Sequence, residues 1–121
     1  MTKEQAYHNF VSSFTWKAYD ENTVPDDAVL PRITYNFSVA EFDDPVAISL
    51  SLWDRSYSWE GVTLKANEIY QDISLGGKLI PYDGGSIWIR RGTPFSLRMS
   101  DPDDTVRRII INVVIEFFTS D

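Results

Sequence analysis

The sequence predicts an α+β domain, a mostly antiparallel sheet of about five strands with two helices packed on it. Three observations carry that expectation. Trp59, Val62, Ala66, Ile69 and Ile73 recur at spacings of 3, 4, 3 and 4, one face of a helix. Residues 32–42, 46–53 and 106–118 are apolar at every second position, the period of a strand. Asp83-Gly84-Gly85 and Asp101-Pro102-Asp103-Asp104 are turn signals that separate the later runs. With 121 residues and no cysteine, the chain is expected to form a single domain, 1–121, around one core that needs no disulfides.

Residues 1–19 are expected to be helical. Thr2 and Gln5 stand at capping-box spacing, and Ala6, Phe10, Phe14 and Ala18 repeat every four residues with Tyr7 and Val11 beside them. Trp16 falls off that stripe, which suits either a partner contact or cover for a loop. Residues 20–31 hold Asp20, Glu21, Asp26 and Asp27, no basic residue and no period, and are expected to be an acidic loop. Long loops in small domains often have a role of their own, here reaching a neighbouring subunit.

In the strand over 32–42, Ile33, Tyr35, Phe37 and Val39 face one way, and Asp43-Asp44-Pro45 turns the chain. In 46–53, Ile48, Leu50 and Leu52 point inward, and the two strands form an antiparallel hairpin. The second helix is expected over about 58–74, started by Ser56 or Ser58, ended by Gly76-Gly77 and laid across the apolar face of the hairpin. Strands over 78–82 and 86–91 flank the Asp83-Gly84-Gly85 turn, and Phe95, Leu97 and Met99 mark another. In 106–118, Ile109, Ile111, Val113, Ile115 and Phe117 make one apolar face, while Ile110, Val114 and Phe118 make the opposite face half apolar. A strand apolar on both sides needs cover twice, and two helices cannot supply it, so a partner is expected on the second face.

Eleven basic and eighteen acidic side chains give a formal charge of −7. That balance argues against tight nucleic-acid binding, which relies on clustered Lys and Arg; it suits a passage that DNA slides through, or simple solubility. No apolar run reaches the roughly 18 residues of a membrane span, and none at the start suits a signal peptide, so no membrane contact is expected. His8 is the single histidine and there is no cysteine, so the usual zinc sites lack ligands; a Ser-His-Asp set has its parts but no nucleophile-elbow sequence, and no catalytic, cofactor or metal site is expected. Asp101, Asp103 and Asp104 lack the spacing of a calcium loop. Arg90-Arg91 and Arg107-Arg108 are the basic pairs, and a strand sends the members of each to opposite faces, leaving them to meet carboxylates within the subunit or across an interface.

The order helix, loop, hairpin, helix, strands resembles the tail terminator or tail completion proteins of long-tailed bacteriophages. The likeness is carried over about residues 30–118 by Pro31-Arg32-Ile33-Thr34-Tyr35-Asn36-Phe37, Leu52-Trp53-Asp54, the helix ending Asp72-Ile73, Trp88-Ile89-Arg90-Arg91-Gly92-Thr93-Pro94-Phe95, Arg107-Arg108-Ile109-Ile110-Ile111-Asn112 and the closing Glu116-Phe117. It implies a non-enzymatic virion protein, assembled in the host cytoplasm and resident in the tail. There it would form a homo-oligomeric ring, a hexamer in most such proteins, on the tail tube protein and offer a surface to head–tail connector proteins. Candidate contact residues are Trp16, Asp26, Asp27, Arg90, Arg91, Ile110, Val114 and Phe118, and Asp101, Asp103 and Asp104 are candidates for an acidic lumen through which DNA passes without binding. A neck or head–tail joining protein, and a small ligand-binding or enzymatic α+β domain, are the competing readings; a monomer with a deep pocket would favour the last.

Overall fold

The computed structural model describes residues 1–38 and 45–119. In chain order the elements are α1 (Lys3–Ser12), β1 (Lys17–Asp20), β2 (Arg32–Tyr35), β3 (Val46–Arg55), α2 (Glu60–Asp72), β4 (Lys78–Tyr82), β5 (Gly85–Met99) and β6 (Val106–Thr119). Six strands make one sheet in the order β1-β2-β3-β6-β5-β4. Every pairing is antiparallel except that of β1 with β2. The α+β expectation therefore holds, with one more strand than the sequence suggested.

The extra strand comes from the end of the expected first helix. The capping box forms, with Gln5 N–H on Thr2 Oγ1 and Thr2 N–H on Gln5 Oε1, but α1 stops at Ser12. Thr15, at φ 71°, turns the chain, and residues 17–20 run as β1 beside β2. Phe14 and Ala18 are buried as the four-residue repeat required, yet the strand, not the helix, buries Ala18. The loop is then 21–31, and it carries the chain back along the sheet edge so that β2 can start level with Lys17.

The strand expected over 32–42 is β2 as far as Tyr35; Val39, Phe42 and the turn residues Asp43 and Asp44 lie outside the described residues. The second helix runs Glu60–Asp72 rather than 58–74. Trp59 is its N-cap residue, and Ser58 Oγ accepts the Glu60 N–H at 3.1 Å without occupying the cap position. Gly77, at φ 88°, belongs to the turn after the helix, where its N–H meets Ser74 O at 2.8 Å. The two strands expected between 86 and 99 are a single β5 whose register on β6 shifts between Arg91 and Ser96. Gly92 sits at that irregularity because a Cβ there would fall 2.7 Å from Asn112 O.

One core holds the layers together. Tyr7, Phe10 and Val11 of α1 and Val62, Ala66 and Ile69 of α2 join Ile33, Leu50, Leu52, Ile87, Ile89, Ile111, Val113 and Ile115 from the sheet. Both helices therefore lie on the same side. Lys65 ties α2 to the turn after α1 by donating to Phe14 O at 2.7 Å while reaching Glu68 on its own helix. No helix among the described residues is long and apolar enough to cross a membrane.

Candidate interaction surfaces

The sheet face opposite the helices follows from alternation. If Ile109, Ile111, Val113, Ile115 and Phe117 point into the core, then Arg108, Ile110, Asn112, Val114, Glu116 and Phe118 point away from it. Ile110 and Val114 are half-buried there and Phe118 is exposed. At the Phe118 end the Trp88 ring lies 6.0 Å from the Phe118 ring, and Leu79 stands beside them 62% exposed. Trp88 is pinned by its Nε1–H on Gly76 O at 3.0 Å, and the Arg90 guanidinium lies 4.3 Å from its ring centre while pairing with Glu116 at 3.0 Å. Leu97, level with Ile110, is 44% exposed. The result is a face along β6 on which Ile110 and Val114 alternate with Asn112 and Glu116, ending in an aromatic patch, and no described helix covers it.

The other end of the same face is polar. Register places Lys17, Arg32, Trp53, Arg108 and Met99 in one row across five strands. The Trp53 indole lies between two guanidinium groups, Arg32 at 5.8 Å and Arg108 at 4.3 Å from its ring centre. Beneath them Trp53 Nε1–H donates to Thr34 Oγ1 at 2.9 Å and Arg108 donates to Ser51 Oγ at 3.0 Å, so the buried hydroxyls of Thr34 and Ser51 have partners. An open groove of about 480 Å³ adjoins the row, with Arg32, Trp53, Arg55 and Val106 as floor, residues 28–30 of the loop as one wall and Asp101 and Asp103 as the other. Two hydrogen bonds from Thr105 hold the Asp103 carboxyl below the ordinary aspartate range, and Arg55 at 3.3 Å adds to the effect.

The remaining candidate residues are placed as follows. Asp26 and Asp27 are exposed in a turn closed by Ala28 N–H on Pro25 O at 3.1 Å. Asp101 Oδ1 accepts from Asp103 N–H, and Asp104 is exposed beside them. Trp16 is partly buried against the core, with the Lys65 ammonium 5.5 Å from its ring centre. His8 reaches Tyr35 Oη through Nδ1 at 2.8 Å. Among the described residues no three His, Asp or Glu side chains converge as metal ligands.

Arg91 faces the core side and closes the C-terminal end of α2. It donates to Ile73 O at 2.7 Å and to Tyr70 O at 2.8 and 3.1 Å, and its guanidinium lies 3.5 Å from the Tyr70 ring centre. A cation here satisfies helix carbonyls that lack intrahelical partners and complements the helix dipole. Arg91→Ala is expected to cost about 2 kcal/mol, given that hydrogen bonds to charged groups contribute about 1.5–3. Arg90→Ala, whose pair with Glu116 is partly exposed, is expected to cost less than about 1. Urea midpoints of the two variants measured side by side check the difference.

Sequence reasoning separated Arg107 from Arg108 correctly but missed the row that Arg108 joins. Parity along each strand gives the face, whereas the row also needs the register, which no single strand encodes.

The fold has a counterpart among solved structures. A chain of a "Virion of native gene transfer agent (GTA) particle" superposes with a TM-score of 0.60, covering 93% of this chain and 90% of its own at 14% identity. At that identity the likeness is one of fold. No protein-family model matches the sequence, and no curated protein matches it.

Proposed function

We propose that this chain is a non-enzymatic structural protein of a phage-type virion, which caps the tail tube as a ring and offers the surface on which the head is joined. The observation that carries the reading is the uncovered sheet face. A domain whose strand β6 has Ile110, Val114 and Phe118 on a side that no described helix covers, continued by Leu97, Trp88 and Leu79, has apolar surface suited to association. The shared fold with a gene transfer agent virion chain supports a virion setting, and the resemblance of residues 30–118 to tail terminator proteins is the ground for the tube end within it. Rings arise where one patch meets a different patch and the rotation closes, and this subunit presents unlike surfaces: an aromatic patch, a polar groove and an acidic loop.

In this reading DNA crosses the lumen without being held. The net charge of −7 and exposed acids such as Asp104 favour repulsion of phosphate. The test is electron microscopy of tail tubes incubated with the protein. Ring density at one tube end, arrest of tube growth and no retardation of free duplex near physiological salt are the expected results. Bare tube ends with unchecked growth, or firm duplex binding, refute the reading. Density at an assembled neck and none at free tubes moves the protein to head–tail joining.

A further inference from the structure

The cationic row on the uncovered sheet face is where the protein departs most from its overall charge. Lys17, Arg32 and Arg108 stand level on β1, β2 and β6, and none forms an ion pair with any described residue. The other cations near that groove and along that face are spent, Arg55 on Asp103 and Arg90 on Glu116. Its two arginines are also held in place. Arg32 donates to Ala28 O at 3.2 Å, Arg108 is held by Ser51, and both flank the fixed Trp53 ring. Rigid guanidinium groups beside an aromatic plane suit planar carboxylates, because little side-chain entropy remains to be lost on binding.

The same chain carries the matching charge. Loop 21–31 presents Glu21, Asp26 and Asp27, exposed and in no ion pair with any described residue, and Pro25 with the 25–28 turn fixes the tip. We propose that the Lys17–Arg32–Trp53–Arg108 row receives the acidic loop of a second copy of this chain, its Glu21, Asp26 and Asp27 carboxylates meeting the row's cations. This rests on the ring reading and supplies its missing half, a donor patch and an unlike acceptor patch on every subunit, the condition for a head-to-tail ring. Nucleic-acid phosphate is the less suitable occupant, because three cations on a protein of charge −7 face net repulsion from a duplex.

The absence of cysteine makes the contact easy to trap. A chain carrying Asp27→Cys and Lys17→Cys, assembled on tube ends and mildly oxidised, is expected to give a non-reducing gel ladder rising to the full ring. A chain carrying Asp27→Cys and Leu64→Cys, the latter on the exposed side of α2, is expected to stay monomeric on the same gel. Reversing the row with Arg32→Glu and Arg108→Glu, or the loop with Asp26→Arg and Asp27→Arg, lowers ring occupancy about ten-fold or more, since like charges brought together across an interface repel strongly. Combining both reversals in one chain restores it, which a misfolded row variant could not do.

Rings that form normally with either reversal, and give no ladder with the Asp27–Lys17 cysteine pair, overturn the loop-in-row contact and leave the ring standing. Absence of any ring from the wild type overturns both. Duplex DNA retained by the wild type and released by Arg32→Glu with Arg108→Glu assigns the row to phosphate and overturns the proposal.

Discussion

Ile69→Asp is expected to unfold the domain outright. Ile69 has no solvent exposure and sits where α2 meets the sheet, in one cluster with Val62, Ala66, Leu52 and Ile111. A carboxylate there would lose its hydration and find only apolar neighbours, at a cost of several kcal/mol. The total stability of a domain is about 5–15 kcal/mol, so a loss of that size removes most or all of it. Ile69→Val keeps the shape and is expected to cost only about 0.5–1.5 kcal/mol. Circular dichroism of the two variants through a urea titration decides the point: a folded Ile69→Asp with the wild-type midpoint would remove α2 from the core.

The second large effect is expected in alkali. Tyr7 is fully buried, stacked on Phe37 at 5.3 Å and edge-on to Tyr35 at 5.6 Å, and its hydroxyl has no hydrogen-bond partner among the described residues. Burial pushes its phenol far above the ordinary tyrosine value, with the neighbouring Tyr35 adding to the shift. Burial raises Tyr35 too, helped by the negative charges of Asp20 and Glu4. The folded pKa lies above the unfolded one, so the contribution is complete below about pH 10 and is lost as pH rises beyond it.

Each such tyrosine removes about 1.4 kcal/mol of stability per pH unit above that point until its folded form ionises. Tyr7→Phe should take away its share of the slope. At pH 8 it should be as stable as the wild type or more so by about 1 kcal/mol, because the hydroxyl it deletes is buried without a partner among the described residues. Urea midpoints from pH 8 to 11 for both proteins test this; parallel curves would mean that Tyr7 ionises freely.

Those two sites illustrate which parts of the structure the sequence reveals. Ile69 was legible because helical periodicity and burial are the same fact seen twice: of the 3-4-3-4 residues, Val62, Ala66, Ile69 and Ile73 are buried and Trp59 is partly buried against the same core. β6 was legible for the same reason at period two. β1 was not. Of Lys17, Ala18, Tyr19 and Asp20 only Ala18 is buried, and the pairing that makes them a strand lies across an eleven-residue loop, 21–31. Ala6, Phe10, Phe14 and Ala18 kept a helical interval through a chain that changes conformation at Thr15, because each stage of the path buries an apolar residue by a different route.

The end of α2 misled for a related reason. A glycine pair is a good local stop signal, but the helix carbonyls are met by Arg91, eighteen residues beyond Ile73 and on another strand. Of the candidate surface, the half-apolar side of β6 was legible from alternation. The groove was not, since residues 28–30, Trp53, Arg55 and Asp101 come together through register and loop path alone.

The register shift in β5 has a consequence for colloidal behaviour. β4 pairs only with residues from Gly85 to Ile89, so beyond Ile89 the outer side of β5 has no strand beside it among the described residues. A long open edge of this kind invites stray strands and templates fibrils. Here the edge is broken up. Pro94 offers no N–H, the register shift between Arg91 and Ser96 interrupts straight hydrogen bonding, and Arg98 adds charge. Subunits held at high local concentration during assembly can thus remain dispersed, and Pro94→Thr together with Arg98→Val would convert that margin into a sticky one.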